Sequence, residues 1–248
     1  MVNSGKPKLL EVKNISKSFG GIHAVDNVSF SITEGEIIGL IGPNGSGKST
    51  CVNLISGVYK LDAGEVIFMG KNIGKLSVQA RAKEGVSRTF QTPKPFVGMT
   101  VYDSVFTSAL QKHTHLDAKI KTNEILEFTQ LAPHANLYSE KLPIERRKWL
   151  DLARILAIDA KIIMLDEVMA GLNPSEMEDS IELVKRINAS GITILFIEHV
   201  MKAVCTLCER SIVLNEGKLL KIGNTFEMLN DEDVIKAYLG EDYHHAKN

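Results

Sequence analysis

The stretch IIGLIGPNGSGKSTCVNLIS, residues 37–56, joins a strand-sized apolar run to a glycine-rich loop and then to a helical pattern. Glycines in such a loop allow successive backbone N–H groups to converge on an anion at the amino end of the following helix. The order of strand, loop and helix is stronger evidence than the match of individual residues, because this geometry needs both the strand and the helix. The stretch therefore predicts a phosphate-binding loop in an α/β sheet.

The loop fits the pattern G-x-x-x-x-G-K-[ST], in which the lysine reaches the β- and γ-phosphates of a nucleotide and the final hydroxyl binds Mg²⁺. Lys48 and Ser49 stand at these two positions. A glycine-rich turn that matches by chance is the alternative, and the flanking strand and helix argue against it. The predicted nucleotide-binding residues of the loop are Gly42, Pro43, Asn44, Gly45, Ser46, Gly47, Lys48, Ser49 and Thr50.

Two later apolar runs end in polar side chains. KIIML is followed by Asp166 and Glu167, and ILFIE is followed by His199. Both runs are typical of strands buried on both faces of a parallel sheet, whose carboxyl ends carry functional groups. We predict that Asp166 holds Mg²⁺, that Glu167 faces the attacking water and that His199 donates to the γ-phosphate. The alternative is that these side chains only solvate the strand ends.

The pattern along the chain predicts a single domain over residues 1–248. Residues 9–42 read as strands, whereas the apolar residues from about 100 to 157 fall at helical spacing. We expect a β-rich edge and an α/β core from residues 1–91 and 158–240, a helical lobe at residues 92–157 and a flexible tail at residues 241–248. Asn173, Pro174 and Glu176 predict a helix that starts with a capping box.

The composition excludes several classes of protein. The 29 basic and 30 acidic residues give a net charge of -1, so we expect no nucleic-acid partner. The most apolar runs are too short to cross a membrane, and the first residues do not have the length of apolar stretch that a signal peptide has. We therefore expect a cytoplasmic protein without direct membrane insertion. Of the three cysteines, Cys205 and Cys208 form a C-x-x-C that we interpret as buried apolar residues of a helix.

Four motifs occur in a fixed order: GPNGSGKST, SRTFQTP, MLDEVMAGLNPSE and FIEH. In this order they resemble the ATP-binding subunits of ABC transporters over nearly the whole chain. Three segments resemble the branched-chain amino acid import group of this family. They are RTFQTPKPF, DEVMAGLNPSE and the ending LNEGKLLKIGNTFEMLNDEDVIKAYLGE. The resemblance implies a P-loop NTPase fold: a RecA-like mixed-sheet core, an N-terminal antiparallel β subdomain and an inserted α-helical subdomain. It also implies hydrolysis of ATP with Mg²⁺.

The resemblance assigns further roles to single residues. Phe19 matches the aromatic ring that stacks on adenine, and Gln91 matches the glutamine that contacts Mg²⁺ and water. Glu167 matches the general base and His199 the γ-phosphate sensor. The loop that meets the partner subunit is matched by Ala170, Gly171, Leu172 and Asn173, with Asn173 where aspartate is commoner.

One motif departs from the family. In ABC ATPases each ATP lies between one subunit's P-loop and the other subunit's signature, usually LSGGQ. The matching residues here are Leu142, Pro143, Ile144, Glu145 and Arg146. Pro143 lacks a backbone N–H, and Glu145 brings negative charge toward a phosphate, so Glu145 must turn away or be neutralised. Arg146, Arg147 and Lys148 either form a solvated helix face or substitute as phosphate donors.

Because a signature serves the partner's ATP, the departure leaves the P-loop, carboxylates and histidine of this chain intact. The resemblance therefore favours a heterodimer with a second ABC ATPase subunit, with a homodimer possible. It implies permease subunits that hold the chain at the inner face of the cell membrane, and a binding protein as an indirect partner. The alternatives are a non-transport ABC ATPase and a nucleotide-binding switch with little hydrolysis. Urea or short amides remain open as cargo beside branched-chain amino acids.

Overall fold

The structure is a computed structural model that describes residues 6–90 and 95–239. The described part of the chain begins with three strands, has a run of helices in its middle, and ends with two helices. The strands of the described residues are β1 (Lys8–Phe19), β2 (Ile22–Thr33), β3 (Ile37–Ile41), β4 (Ala63–Phe68), β5 (Lys71–Asn72), β6 (Val86–Arg88), β7 (Ile162–Asp166), β8 (Thr193–Ile197), β9 (Arg210–Asn215) and β10 (Lys218–Asn224). The α-helices are α1 (Lys48–Ser56), α2 (Val78–Glu84), α3 (Val101–Ala109), α4 (His115–Phe128), α5 (Ile144–Leu156), α6 (Pro174–Ala189), α7 (Met201–Leu207), α8 (Thr225–Leu229) and α9 (Glu232–Leu239).

The strands form two sheets. One has four strands in the order β2-β1-β4-β5, all paired antiparallel. The other has six strands in the order β10-β9-β3-β8-β7-β6, and all its pairs are parallel except β9 with β10. A parallel core sheet beside an antiparallel sheet, with helices around the core, confirms the predicted P-loop NTPase fold.

The central strands of the core sheet are buried on both faces because their side chains alternate between two apolar clusters. In β7, Ile162 and Met164 pack toward the antiparallel sheet and α1, while Ile163 and Leu165 pack toward the helices on the opposite face. β8 alternates in the same way, which explains why both strands read as continuous apolar runs. The strand ends carry Asp166 and lead to His199 at one edge of the sheet.

The chain between β6 and β7 is helical where the structure describes it, as the spacing of apolar residues predicts. Helices α3, α4 and α5 follow one another there, with two short 3-10 turns between α4 and α5. Trp149 of α5 is almost fully buried, and its indole N–H donates to Ser180 Oγ of α6 at 3.1 Å. This contact joins the helical part to the core. The lobe boundaries at residues 92 and 157 stay a prediction.

The sequence predicts that both cysteines of the C-x-x-C are buried. This prediction is confirmed for Cys208 and wrong for Cys205. Cys208 is buried, and burial raises the pKa of its thiol, but Cys205 is exposed on α7. Helix α7 ends at Leu207, so Cys208 lies just outside the helix in an extended conformation and does not share the helical spacing of Cys205. No helix in the described ranges is long and apolar enough to cross a membrane. The tail at residues 241–248 lies outside the described residues.

Candidate functional site

The glycine loop lies between β3 and α1, as predicted, and its backbone needs glycine at particular positions. Gly42, Gly45 and Gly47 have φ angles of 148°, 79° and 99°. A Cβ on Gly42 would lie 2.1 Å from the carbonyl oxygen of Leu214, and one on Gly47 would lie 2.5 Å from that of Ala24. The loop is therefore wedged against β2 and β9, and these glycines allow the close approach.

A cavity of about 210 Å³ opens above the loop. It brings together the two groups of residues that the sequence placed at distant positions, the P-loop and the ends of the buried strands. Asp166, Gly42 and Pro43 lie beside the cavity rather than in its lining. The lining residues are Ala24, Asn44, Gly45, Ser46, Gly47, Lys48, Ser49, Thr50, Glu167 and His199.

Lys48 is largely buried, and its ammonium group binds carbonyl oxygens of its own loop. Nζ donates to the carbonyl oxygen of Gly42 at 2.8 Å and to that of Pro43 at 2.9 Å. Burial lowers the pKa of Lys48, while the carboxylates of Glu167 and Asp166 act in the opposite direction. Neutral carbonyls are weaker partners for an ammonium group than phosphate oxygens are, so Lys48 is placed to bind phosphate at this cavity.

Asp166 forms a buried ion pair that the sequence did not predict. Arg88, the last residue of β6, places Nη2 2.8 Å from Asp166 Oδ2, and both side chains are less than a tenth exposed. Arg88 Nη1 also donates to Asn53 Oδ1 of α1, and Thr89 Oγ1 accepts from the Asp166 N–H at 3.1 Å. Burial raises the pKa of Asp166, and Arg88 opposes that shift. Arg88 belongs to the SRTFQTP motif, which is the signal in the sequence that pointed to it.

Glu167 lies where the chain turns at the end of β7. Its φ is 52°, a left-handed conformation that L-residues with a Cβ adopt at a cost of roughly 1–2 kcal/mol. Its N–H donates to the Ile197 carbonyl at 2.9 Å, and Oε1 lies 3.1 Å from His199 Nε2. The turn directs Asp166 inward and Glu167 into the cavity, so the adjacent carboxylates are separated as predicted.

Two charged side chains that were not predicted from the sequence hold the segment after Glu167. Glu198 is buried, and its Oε1 accepts from the Met169 N–H at 2.6 Å. Lys148 of α5 donates to the carbonyl oxygen of Ala170. The predicted dimer loop from Ala170 to Asn173 is thus anchored from β8 and from α5. It ends in the predicted capping box, with Asn173 Oδ1 accepting from Glu176 N at 3.0 Å.

The signature-like residues surround the start of α5. Pro143 is the N-cap and Ile144, half exposed, is the first helical residue. Glu145 is only 7% exposed, and burial raises the pKa of its carboxyl. Its Oε2 lies 3.4 Å from Arg146 Nε, and the Arg146 guanidinium stacks on the Trp149 ring at 3.9 Å. Glu145 is therefore turned inward beside a cation, as charge repulsion requires.

The three basic residues of α5 form neither a fully solvated face nor a set of freely available phosphate donors. Arg146 is engaged with Glu145 and Trp149. Arg147 Nε donates to the Leu142 carbonyl at 2.7 Å, and Lys148 binds the Ala170 carbonyl. For Arg147 and Lys148, the local helix pattern cannot distinguish these contacts from exposure, because the carbonyl acceptors of Leu142 and Ala170 lie outside α5.

The two remaining predicted residues have different outcomes. Phe19 is 43% exposed and makes an edge contact with Tyr59 at a ring-centroid distance of 5.2 Å, so an exposed aromatic pair stands at the end of β1. The stacking of Phe19 on adenine stays a prediction. Its neighbour Tyr59 was not predicted from the sequence as part of the site. Gln91 lies outside the described residues.

The chain matches the ABC transporter family over residues 25–170, a span that contains the P-loop, the signature-like residues, Asp166 and Glu167. The chain is an ABC transporter ATPase. ATP hydrolysis is the activity of this family, and its ATP-binding subunits dimerise and work with membrane permease components. The assignment favours a transport subunit over the non-transport ATPase and the switch considered from the sequence.

Two groups of curated relatives cover almost the whole chain. The high-affinity branched-chain amino acid transport ATP-binding protein LivG of Salmonella typhimurium is 37% identical over 250 residues, covering 94% of this chain and 98% of LivG. The lipopolysaccharide export system ATP-binding protein LptB of Escherichia coli is 33% identical over 237 residues, with the same coverage of 94% and 98%. The relatives therefore include one protein of branched-chain amino acid transport and one of lipopolysaccharide export.

Solved structures share the fold at similar identity. The ADP conformation of MJ1267, an ATP-binding cassette of an ABC transporter, superposes with a TM-score of 0.85 at 32% identity, covering 95% of this chain and all of that one. The dimeric post-hydrolysis state of the cassette MJ0796 bound to ADP and Pi superposes with a TM-score of 0.78 at 26% identity, covering 88% of this chain and 99% of that one. These structures agree with the two-sheet core and the helical part described above.

The donor set at the cavity fits a metal ion that is bound jointly with a nucleotide. No group of three or more His, Cys, Asp or Glu side chains in the described ranges is arranged to hold a metal by itself. Mg²⁺ in nucleotide sites is usually held by one or two protein oxygens together with phosphate oxygens and water. Ser49 lines the cavity and Asp166 adjoins it, which is sufficient for such a site.

Proposed function

We propose that this chain is an ATP-hydrolysing subunit of an importer for branched-chain amino acids, and that its own P-loop forms the hydrolytic site of a heterodimer. The observation that carries the proposal is the cavity that unites the P-loop with Glu167 and His199. Among the signature-like residues, Glu145 and Arg146 contact this chain itself, and Pro143 lacks a backbone N–H. The greater identity to LivG, 37% against 33% for LptB, supports amino acids as the cargo.

In the proposed site the phosphates lie on the P-loop between Lys48 and the backbone N–H groups of residues 44–50. The Ser49 hydroxyl and the Asp166 carboxylate would hold Mg²⁺, which would supply positive charge to neutralise the phosphate oxygens. Glu167 takes a proton from the attacking water. His199, whose Nε2 lies 3.1 Å from Glu167 Oε1, donates to the γ-phosphate. Phe19 would stack on adenine, and Gln91 would contact the metal and water, as the family pattern implies.

The start of α5 supports a partner of different sequence. A phosphate contact there needs backbone N–H groups and room for the backbone to approach, which Ser and Gly provide in the usual signature. Pro143 has no N–H, and Ile144 carries a branched side chain that is half exposed at this end of the helix. A homodimer would place these residues against both ATP molecules, whereas a partner with an intact signature would complete the site on this chain.

The proposed setting follows from the family. Permease subunits span the membrane, this chain binds them from the cytoplasmic side, and a binding protein delivers the cargo on the other side. We propose no nucleic-acid partner and no direct insertion of this chain into the membrane. Export of lipopolysaccharide is the second candidate, because the LptB relatives cover the chain as completely as LivG does.

The signature can be tested by restoring it. In the isolated chain, replacing residues 143–146 by Ser-Gly-Gly-Gln is expected to raise steady-state ATP turnover by roughly tenfold or more, because each P-loop would then meet donors that stabilise the transferring phosphoryl group. The wild-type chain is expected to turn over ATP very slowly on its own. The same replacement combined with Lys48→Ala is the control and should stay inactive. Brisk turnover by the isolated wild-type homodimer would contradict the heterodimer.

The cargo is tested by reconstituting the complete transporter in proteoliposomes with its permease subunits and second ATPase. With branched-chain amino acids and the binding protein supplied outside, we expect ATP turnover to rise several-fold above the basal rate, since the binding protein reads the cargo. Lipopolysaccharide should not stimulate turnover. Stimulation by lipopolysaccharide and not by amino acids would favour the export candidate. Stimulation by urea or a short amide alone would keep the importer and change its cargo.

A further inference from the structure

The phosphate loop is contacted by a helix at the far end of the chain. The backbone N–H of Gly42, the first residue of the loop, donates to the hydroxyl oxygen of Tyr238 at 2.7 Å. Tyr238 belongs to α9, which follows both sheets and lies beyond the part of the chain that matches the family, residues 25–170. The contact joins residues 196 positions apart, so no local pattern anticipates it.

Gly42 is a position at which a small displacement affects the nucleotide site. One side of its backbone is pressed against the carbonyl of Leu214, leaving no room for a Cβ. Its own carbonyl oxygen accepts the hydrogen bond from Lys48 Nζ at 2.8 Å. The Gly42 residue thus joins Tyr238 through its N–H and the phosphate-binding lysine through its carbonyl.

Helix α9 is docked by few contacts. Val234 is its one fully buried residue within the described part of the chain, and Leu239 is 60% exposed. At its start, Lys221 of β10 pairs with Asp231 at 2.6 Å and with Asp233 at 3.1 Å. These ion pairs are partly exposed to solvent, so their contribution to the docking of α9 is modest. The docking of α9 therefore depends mainly on Val234, on the Tyr238 ring packed against the core and on the Gly42 hydrogen bond.

We propose that α9 is a latch on the phosphate loop: Tyr238 holds Gly42 in the position that binds phosphate, and nucleotide at the loop in turn holds α9 docked. The two effects are one coupling, because thermodynamic linkage requires that each event stabilise the other to the same extent. Burial raises the pKa of Tyr238, so the hydroxyl stays neutral and can accept the Gly42 N–H throughout the physiological range. Tyr238 is a positioning residue, since it reaches the phosphate through the P-loop backbone.

The latch is tested with ADP as the probe and Tyr238→Phe as the variant, which keeps the ring and removes only the hydroxyl. Hydrogen exchange of residues 232–239 in the wild-type chain is expected to slow when ADP is added. In the variant that slowing should be largely lost, and calorimetry should give an ADP Kd raised about 2- to 10-fold, the range for one net hydrogen bond. Tyr138→Phe, at an exposed tyrosine elsewhere, is the matched control and should behave as wild type.

A second variant separates the latch from a general loss of stability. Val234→Ala loosens α9 without touching Gly42, and it should weaken ADP binding in the same direction. If ADP binds both variants as tightly as wild type, or if exchange of residues 232–239 is unchanged by ADP, the latch is wrong. Because the inference rests on nucleotide binding at the P-loop, ADP binding to the wild-type chain is measured first. Its absence would overturn the proposed nucleotide site, whereas binding without protection of α9 would overturn the latch alone.

Discussion

Glu167→Gln is expected to lower steady-state ATP turnover of the assembled ATPase by about 100-fold or more while leaving ATP binding intact. A positioned general base contributes typically ~10²–10⁴-fold to a reaction of this kind, and glutamine cannot accept the proton. The amide fits the same space and can still form the 3.1 Å contact with His199. The left-handed backbone at this position is equally available to both residues, so the fold should be unaffected.

The measurement pairs phosphate release with retention of bound ATP. The variant should hold ATP far longer than wild type, because binding through the P-loop is kept and hydrolysis is removed. Glu178→Gln, on the exposed face of α6, is the matched control and should leave turnover unchanged. Turnover of Glu167→Gln within a few-fold of wild type would show that Glu167 is not the base. Equal retention of ATP by wild type and variant would instead indicate a nucleotide-binding switch.

Arg88→Met is expected to lower the free energy of unfolding by about 3–5 kcal/mol, the usual cost of leaving one member of a buried ion pair without its partner. Asp166 would lose its Nη2 contact at 2.8 Å, and Asn53 and Thr89 would lose the contacts that Arg88 makes beside it. Methionine keeps much of the length of the side chain, so the charge rather than a cavity dominates the change. Urea unfolding without nucleotide or Mg²⁺ measures the effect on the protein alone.

The control for this prediction is an ion pair of the same kind at the surface. Lys185→Met breaks the exposed pair with Glu182 and should cost less than about 1 kcal/mol. Adding Asp166→Leu to Arg88→Met should restore much of the lost stability, because replacing both members of a buried pair by apolar residues is often neutral. An Arg88→Met variant as stable as Lys185→Met would refute the assignment of Arg88 as the structural counter-charge of Asp166.

Arg88 and Glu198 also show why part of the site could not be predicted from sequence. Arg88 ends a strand of three residues, which is too short for any periodic pattern, and its partner Asp166 is 78 positions away. Glu198 stands directly before His199 at the end of β8, and only the folded turn after Glu167 reveals that it binds the Met169 N–H. The sequence shows that these charged residues stand next to motifs, but it does not show their hydrogen-bond partners.

The interpretation of the signature-like residues changed in a similar way. From the sequence, Arg146, Arg147 and Lys148 were either solvated or available to phosphate. The structure shows that each one contacts this chain itself: Arg146 stacks on Trp149, Arg147 binds the Leu142 carbonyl and Lys148 binds the Ala170 carbonyl. In the proposed heterodimer, these residues would affect the ATP site of the partner subunit, and the residues proposed for the site on this chain are unchanged.

The sequence alone determined the phosphate loop, the buried parallel strands, the helical middle part and the capping box at Asn173. Each of these is encoded locally, in glycines that permit positive φ, in apolar runs buried on two faces and in side chains that bond to backbone a few residues away. The tertiary structure alone decided which distant groups meet: Arg88 with Asp166, Glu198 with Met169 and Tyr238 with Gly42. These pairs form because the core sheet brings strand ends and the last helix to one edge, and separations of 29 to 196 positions leave no periodic trace in the chain.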